Sequence, residues 1–90
     1  MRIRKRTDKT RLEQFREEKG YTQARLAELS QISPVAVSKY ERRERSIDRA
    51  GIDILVLLAR ALGVGVYDLL ENKGLREAVR NNYIQHGGGR

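Results

Sequence analysis

Cysteine is absent from this 90-residue chain, which removes disulfide frameworks, thiolate metal sites and thiol catalysis together. Histidine is almost as scarce. The single one, His86, stands beside three glycines near the end of the sequence, where it reads as part of a solvated tail rather than as a catalytic or metal-bound group. No apolar run approaches the roughly 20 residues of a membrane span, and the basic start of the chain lacks the apolar core of a signal peptide. No stretch alternates apolar and polar residues for long enough to make a strand. Internal repeats are lacking too. With 39% hydrophobic residues the chain builds one domain around one modest core, with no room for a deep substrate cavity. These absences predict no metal, no cofactor and no enzyme, and a soluble protein of a reducing cytoplasm.

What the chain has is positive charge. Lys and Arg number 19 against 12 Asp and Glu, a net charge of +7. Residues 1–11 hold six of those bases (Arg2, Arg4, Lys5, Arg6, Lys9, Arg11) and one acid, Asp8, so +5 of the +7 lies there. The remainder is nearly neutral. A basic arm on a neutral body points to an anionic polymer partner or to a solubilising tail.

The periodicity is helical throughout. Thr10-Arg-Leu-Glu13 has the form of a capping box and opens a first helix that turns Leu12 and Phe15 inward and stops at Gly20. Thr22 caps a second helix, with Leu26, Ala27 and Leu29 inward. Ser33-Pro34 opens a third: serine caps, and proline at the first helical position lacks only an amide that goes unbonded anyway. On that helix Val37, Tyr40 and Glu41 share one face, while Val35, Ser38, Lys39 and Arg42 fall on another. Residues 42–50 form a charged connection. A fourth helix from about Gly51 to Leu62 ends at Gly63, a short fifth takes Val66 to Leu70, and residues 72–85 hold a sixth with Leu75, Ala78, Val79 and Tyr83 at helical spacing. Residues 86–90 read as a disordered tail.

Two short helices joined by a tight link, 22–30 and 33–42, outline a helix-turn-helix. The run QARLAELSQISPVAVSKYERR resembles the helix-turn-helix of the phage-repressor family, also called the Cro/C1 or Xre type. The similarity is carried by Gln23, by Leu26-Ala27, by Ile32-Ser33 at the turn, by Val37-Ser38 in the following helix and by Tyr40-Glu41 at its end. LEQFREEKGYTQ upstream and LARALGVGVYDLL downstream match the family's flanking helices, so the likeness covers residues 10–71. It implies an all-α fold: a lambda-repressor-like, five-helix domain, with residues 1–9 as an arm and residues 72–85 as an extra C-terminal helix for packing or dimerisation.

The resemblance further implies double-stranded DNA as partner, a homodimer, and a bacterial or phage-encoded protein acting at the nucleoid. The first residues of a recognition helix reach base edges in the major groove, which assigns base contacts to Ser33, Pro34, Val35, Ser38 and Lys39. Lys39 suits the two acceptors of a guanine, whereas Pro34, Val35 and Ala36 suit thymine methyls. So few hydrogen-bonding side chains leave part of the reading to DNA shape. Thr22 and Gln23, at a helix start with free amides, and Arg42 and Arg43, beyond the recognition helix, are the phosphate contacts; Arg45 and Arg49 follow them. Arg2, Arg4, Lys5 and Arg6 form the arm, suited to a narrow, negative minor groove. A carboxylate facing phosphates is electrostatically wrong, and the family resolves this by pairing the residue at Glu41 with an arginine at the position of Arg16. That pair is structural.

Three features depart from the family. Gln31 stands where the turn glycine is usual, the interval from Glu41 to Ala59 is about three residues longer, and Ile54, Leu57 and Ala61 make an extra apolar stripe on the fourth helix. Such a stripe requires a cover, from the sixth helix of the same chain or from a partner subunit. Three function classes follow: a transcriptional repressor occupying a palindromic operator, an antitoxin or protein-interaction adaptor using the C-terminal helix, and a hydrolase. The last lacks any nucleophile–base set.

Overall fold

The computed structural model describes residues 9–89, with side chains described as far as Asn81. Five α-helices follow one another: α1 Arg11–Glu18, α2 Gln23–Ser30, α3 Pro34–Glu41, α4 Ile52–Leu62 and α5 Lys73–Gly89. Two single 3₁₀ turns, Ile47–Arg49 and Val66–Leu69, flank α4. No strand occurs among the described residues, and the fold is all-α. Leu12, Leu26, Val37, Leu58, Leu62 and Leu69 are fully buried and draw α1, α2, α3, α4 and the second 3₁₀ turn around one core.

Each of the first three helices starts on a hydroxyl. Thr10 accepts from the Glu13 amide at 3.1 Å, Thr22 from the Arg25 amide at 3.0 Å and Ser33 from the Ala36 amide at 3.1 Å. The box at Thr10 is one-sided: among the described residues the Glu13 carboxylate makes no return bond to the Thr10 amide. The first four helices also share one kind of exit. Just past each helix end an amide bonds the carbonyl five residues back: Tyr21 to Arg16 at 3.1 Å, Ile32 to Ala27 at 3.2 Å, Glu44 to Lys39 at 2.9 Å and Val64 to Ala59 at 3.0 Å. This closure needs a left-handed residue before the bonded amide. Gly20 and Gly63 supply it for α1 and α4, with φ of 75° and 71°. Gln31 and Arg43 supply it for α2 and α3, at φ of 64° and 61°. The two helices of the helix-turn-helix thus end on strained, non-glycine residues.

Several sequence readings are corrected by the packing. Leu29, read as inward, is 39% exposed, because Leu26, Ala27 and Ser30 already fill the inner face of α2. Phe15 is only half-buried at the core margin, with the Arg11 guanidinium 5.5 Å from its ring centre. The fifth helix read from Val66 to Leu70 is a single 3₁₀ turn; its start is fixed by Asp68 Oδ2, which accepts from the Gly65 amide at 2.9 Å. The charged connection after α3 is anchored. Ile47 is 3% exposed, in the core, and Asp48 accepts from the amides of Glu71 and Asn72 at 2.6 and 3.0 Å. The longer interval before α4 is therefore pinned at Ile47 and at Asp48.

The C-terminal helix packs on the second 3₁₀ turn and leaves Leu75 and Val79 at 39% and 36% exposure. Its backbone continues to Gly89, beyond the boundary read from the sequence; once nucleated, a helix gains one bond for each residue added. Leu57 and Ala61 of the α4 stripe open into a groove shared with Tyr21, Leu29, Ser30, Gln31 and Arg60.

A left-handed backbone costs a non-glycine residue on the order of 1 kcal/mol. Gln31→Gly, at an exposed site, is expected to raise stability by about that amount. Urea denaturation measures it, and an unchanged or lowered midpoint contradicts the strain.

Candidate nucleic-acid interface

The inner edge of the site is one buried carboxylate. Glu41 closes α3 at 5% exposure. Arg16 of α1 donates to it through Nε at 2.6 Å and Nη2 at 3.1 Å, and Gln23 of α2 donates through Nε2 at 2.8 Å. Arg16 is occupied further: its Nη1 donates to the Tyr21 carbonyl at 2.8 Å, in the loop between α1 and α2. One acidic side chain thus ties the end of α3 to both preceding helices. The hydrogen bond from Arg16 to Glu41 holds the guanidinium above the usual arginine range, against the opposing effect of burial. Nearby, burial pushes the Glu13 carboxyl up, and the charges of Glu41 and Glu17 add to that.

This clamp gives α3 two unlike sides. Val37, Tyr40 and Glu41 are buried. Ser33, Pro34 and Val35 are exposed, Val35 at 63%, and Ser38 and Lys39 are half-buried beside them. The N-terminal half of α3 therefore offers solvent a serine, a proline and a valine, with lysine one turn further along. Ser33 is fixed by its capping bond, as is Thr22 at the start of α2. An N-cap hydroxyl uses its oxygen as acceptor and keeps its proton, so both side chains can still donate to a phosphate or a base.

Gln23 and the arginines are placed differently from one another. Gln23 is half-buried and spends one amide hydrogen on Glu41, which leaves its second hydrogen and its carbonyl. Arg42 is exposed and donates through Nε to Glu44 Oε2 at 2.9 Å and through Nη1 to Ser38 Oγ. Arg43 donates through Nη2 to Glu71 Oε1 at 2.9 Å, and the other oxygen of Glu71 accepts from the Arg11 amide at 2.7 Å. Lys39 stands 3.6 Å from Glu44. The guanidinium of Arg45 lies 5.6 Å from the centre of the Tyr40 ring, and Arg49 is exposed. Arg2, Arg4, Lys5 and Arg6 lie outside the described residues.

Sequence reasoning missed the acids of this surface. Glu44, Glu71 and Asp48 each hold a cation or an amide of the site. Glu71 and Asp48 reach 28 and 23 residues along the chain, so no local pattern announces them. Glu44 lay within reach of a reading, since a helix exit at residue 43 folds the next residue back over Lys39. Arg43 in place of glycine hid that exit.

A short helix whose outer side is free, buttressed by a second short helix across a tight turn, defines a helix-turn-helix DNA-binding domain. The Helix-turn-helix family model, HTH_3, matches residues 12–69. The chain belongs to that family, the Cro/C1-type helix-turn-helix proteins, which are DNA-binding regulators. No individual curated protein and no solved structure matches the chain significantly. Among the described residues no helix is long and apolar enough to cross a membrane.

Removing one partner of a buried ion pair strands the other charge. Arg16→Ala is expected to lower stability by roughly 3–5 kcal/mol. Arg16→Met combined with Glu41→Leu, which removes both charges, is expected to recover most of that loss in urea denaturation. Equal losses for the single and double variants contradict the assignment.

Proposed function

We propose that this protein is a sequence-specific transcriptional regulator that acts as a repressor, occupying a palindromic operator as a dimer. The observation that carries the reading is the exposure of Ser33, Pro34 and Val35 at the start of a helix whose opposite side is locked into the core. Lys39 reads a guanine through O6 and N7, and Pro34 and Val35 meet thymine methyls. Ser33 and Ser38 donate or accept at base edges. Thr22, Gln23, Arg42 and Arg43 hold the phosphates on either side, and the arm of residues 1–9 adds affinity without sequence.

Dimerisation is supported by the apolar surface left open. Ile52 and Val56 on α4 are 67% and 37% exposed, and Leu75 and Val79 on α5 remain partly bare. Paired recognition helices suit half-sites about 34 Å apart on one side of the duplex. The same exposed leucine and valine of α5 favour a second reading, an adaptor that captures a protein through its C-terminal helix.

Salt separates the two readings. If about six phosphates are neutralised, log K falls with log salt at a slope near −5. Selection from a random duplex library is expected to return a two-fold symmetric consensus; no enrichment together with a shallow slope favours the adaptor. Within the regulator reading, Lys39→Ala is expected to relax base preference at one position. Arg42→Ala is expected to weaken all duplexes alike and to reduce the salt slope by about 1.

A further inference from the structure

The recognition helix does not release the chain at its end. Arg43, left-handed at φ 61°, turns it back, and two bonds close the turn: Arg43 N to the Tyr40 carbonyl at 3.2 Å and Glu44 N to the Lys39 carbonyl at 2.9 Å. Glu44 is thereby held against the last turn of α3. Its carboxylate then reaches both cations of the reading surface. Oε2 accepts from Arg42 Nε at 2.9 Å, and Oε1 lies 3.6 Å from Lys39 Nζ. Arg42 also donates to Ser38, so Ser38, Lys39 and Arg42 form a single set with one carboxylate. The hydrogen bond from Arg42, with the nearby charge of Lys39, holds the Glu44 carboxyl below the usual carboxylate range, so it is an anion at neutral pH.

Two acceptor oxygens between an ammonium and a guanidinium reproduce what a phosphate, or the O6 and N7 of a guanine, presents to the same donors. We propose that Glu44 is an intramolecular stand-in for DNA, which occupies Lys39 and Arg42 in the free protein and has to be displaced on binding. The inference rests on the DNA-reading assignment of α3 made above and adds to it a determinant of specificity.

The consequence differs between right and wrong sequences. On a matched site Lys39 gains a base and Arg42 a phosphate, both charge-assisted, and the two contacts replace what Glu44 provided. On a mismatched duplex Lys39 has no base acceptor in place. The complex then rests on phosphates, and Glu44 both competes for Arg42 and repels the backbone. A repulsive group that penalises the wrong partner more than the right one raises specificity. The pairs themselves are exposed, at 38% to 56% of their side chains. Such pairs add little to stability, so a matched site displaces them at small cost.

The test is Glu44→Gln, which keeps the shape and removes the charge, measured by fluorescence anisotropy on the library-selected duplex and on a scrambled one. Glu77→Gln, an equal charge change on α5 at an exposed position, is the control. For Glu44→Gln, affinity for scrambled duplex is expected to rise about tenfold at low salt and its salt slope to steepen by about 1. Affinity for the selected duplex is expected to rise about threefold or less, so discrimination falls. Glu77→Gln is expected to leave discrimination unchanged. Three results overturn the proposal: no change with Glu44→Gln, a weaker grip on the selected duplex, or an equal shift from Glu77→Gln. If the unmodified protein itself shows no duplex preference and no salt dependence, it is the regulator reading that fails.

Discussion

The geometry of the proposed DNA-binding surface depends on one buried carboxylate. Glu41, at 5% exposure, collects three donors: two from the Arg16 guanidinium and one from Gln23. Because Arg16 also binds the Tyr21 carbonyl, α1, the loop after it, α2 and α3 meet at one point. Hydrophobic burial around Leu26 and Val37 brings these helices together, but apolar packing is tolerant of small rotations. Hydrogen bonds to a single carboxylate are directional. Rotating α3 about its axis breaks them at once, which fixes which of its residues face outward.

The same carboxylate resolves an electrostatic conflict. A negative charge on a helix that approaches phosphates is unfavourable, and inside the protein it is neutralised by an arginine that never loses its proton. The remaining acids near the surface follow a similar pattern. Glu71 binds Arg43 and the Arg11 amide, Asp48 binds the entry to α5, and Glu44 binds Arg42. The surface therefore holds its cations in defined positions before any ligand arrives. Two non-glycine residues in left-handed conformation, Gln31 and Arg43, carry the turns on either side of α3. Strain of that kind gathers at functional sites, and here it brackets α3.

Most of the architecture was legible in the sequence because its signals are local. Thr10, Thr22 and Ser33 mark helix starts, Gly20 and Gly63 mark ends, and the spacing of Val37, Tyr40 and Glu41 identifies the buried side of α3. What escaped was non-local or broke a local rule. Ile47 sits in a run of charges, and only the folded chain shows that it reaches the core. Leu29 follows the helical pattern, yet the inner face of α2 is full without it. Arg43 ends a helix with no glycine to announce the turn. For the site, the sequence pointed to the outer residues of α3 and to Arg16 with Glu41, which lie at 2.6 Å. It gave no sign that Gln23 joins that pair or that Glu44 and Glu71 hold the neighbouring cations.

The most direct measurement is a backbone amide map of the ¹⁵N-labelled protein titrated with its selected duplex. The largest chemical-shift changes are expected at Thr22–Gln23 and from Ser33 to Arg43, with α5 little affected by the DNA itself. Changes concentrated on α5, with the amides of Ser33 to Lys39 unmoved, would contradict it.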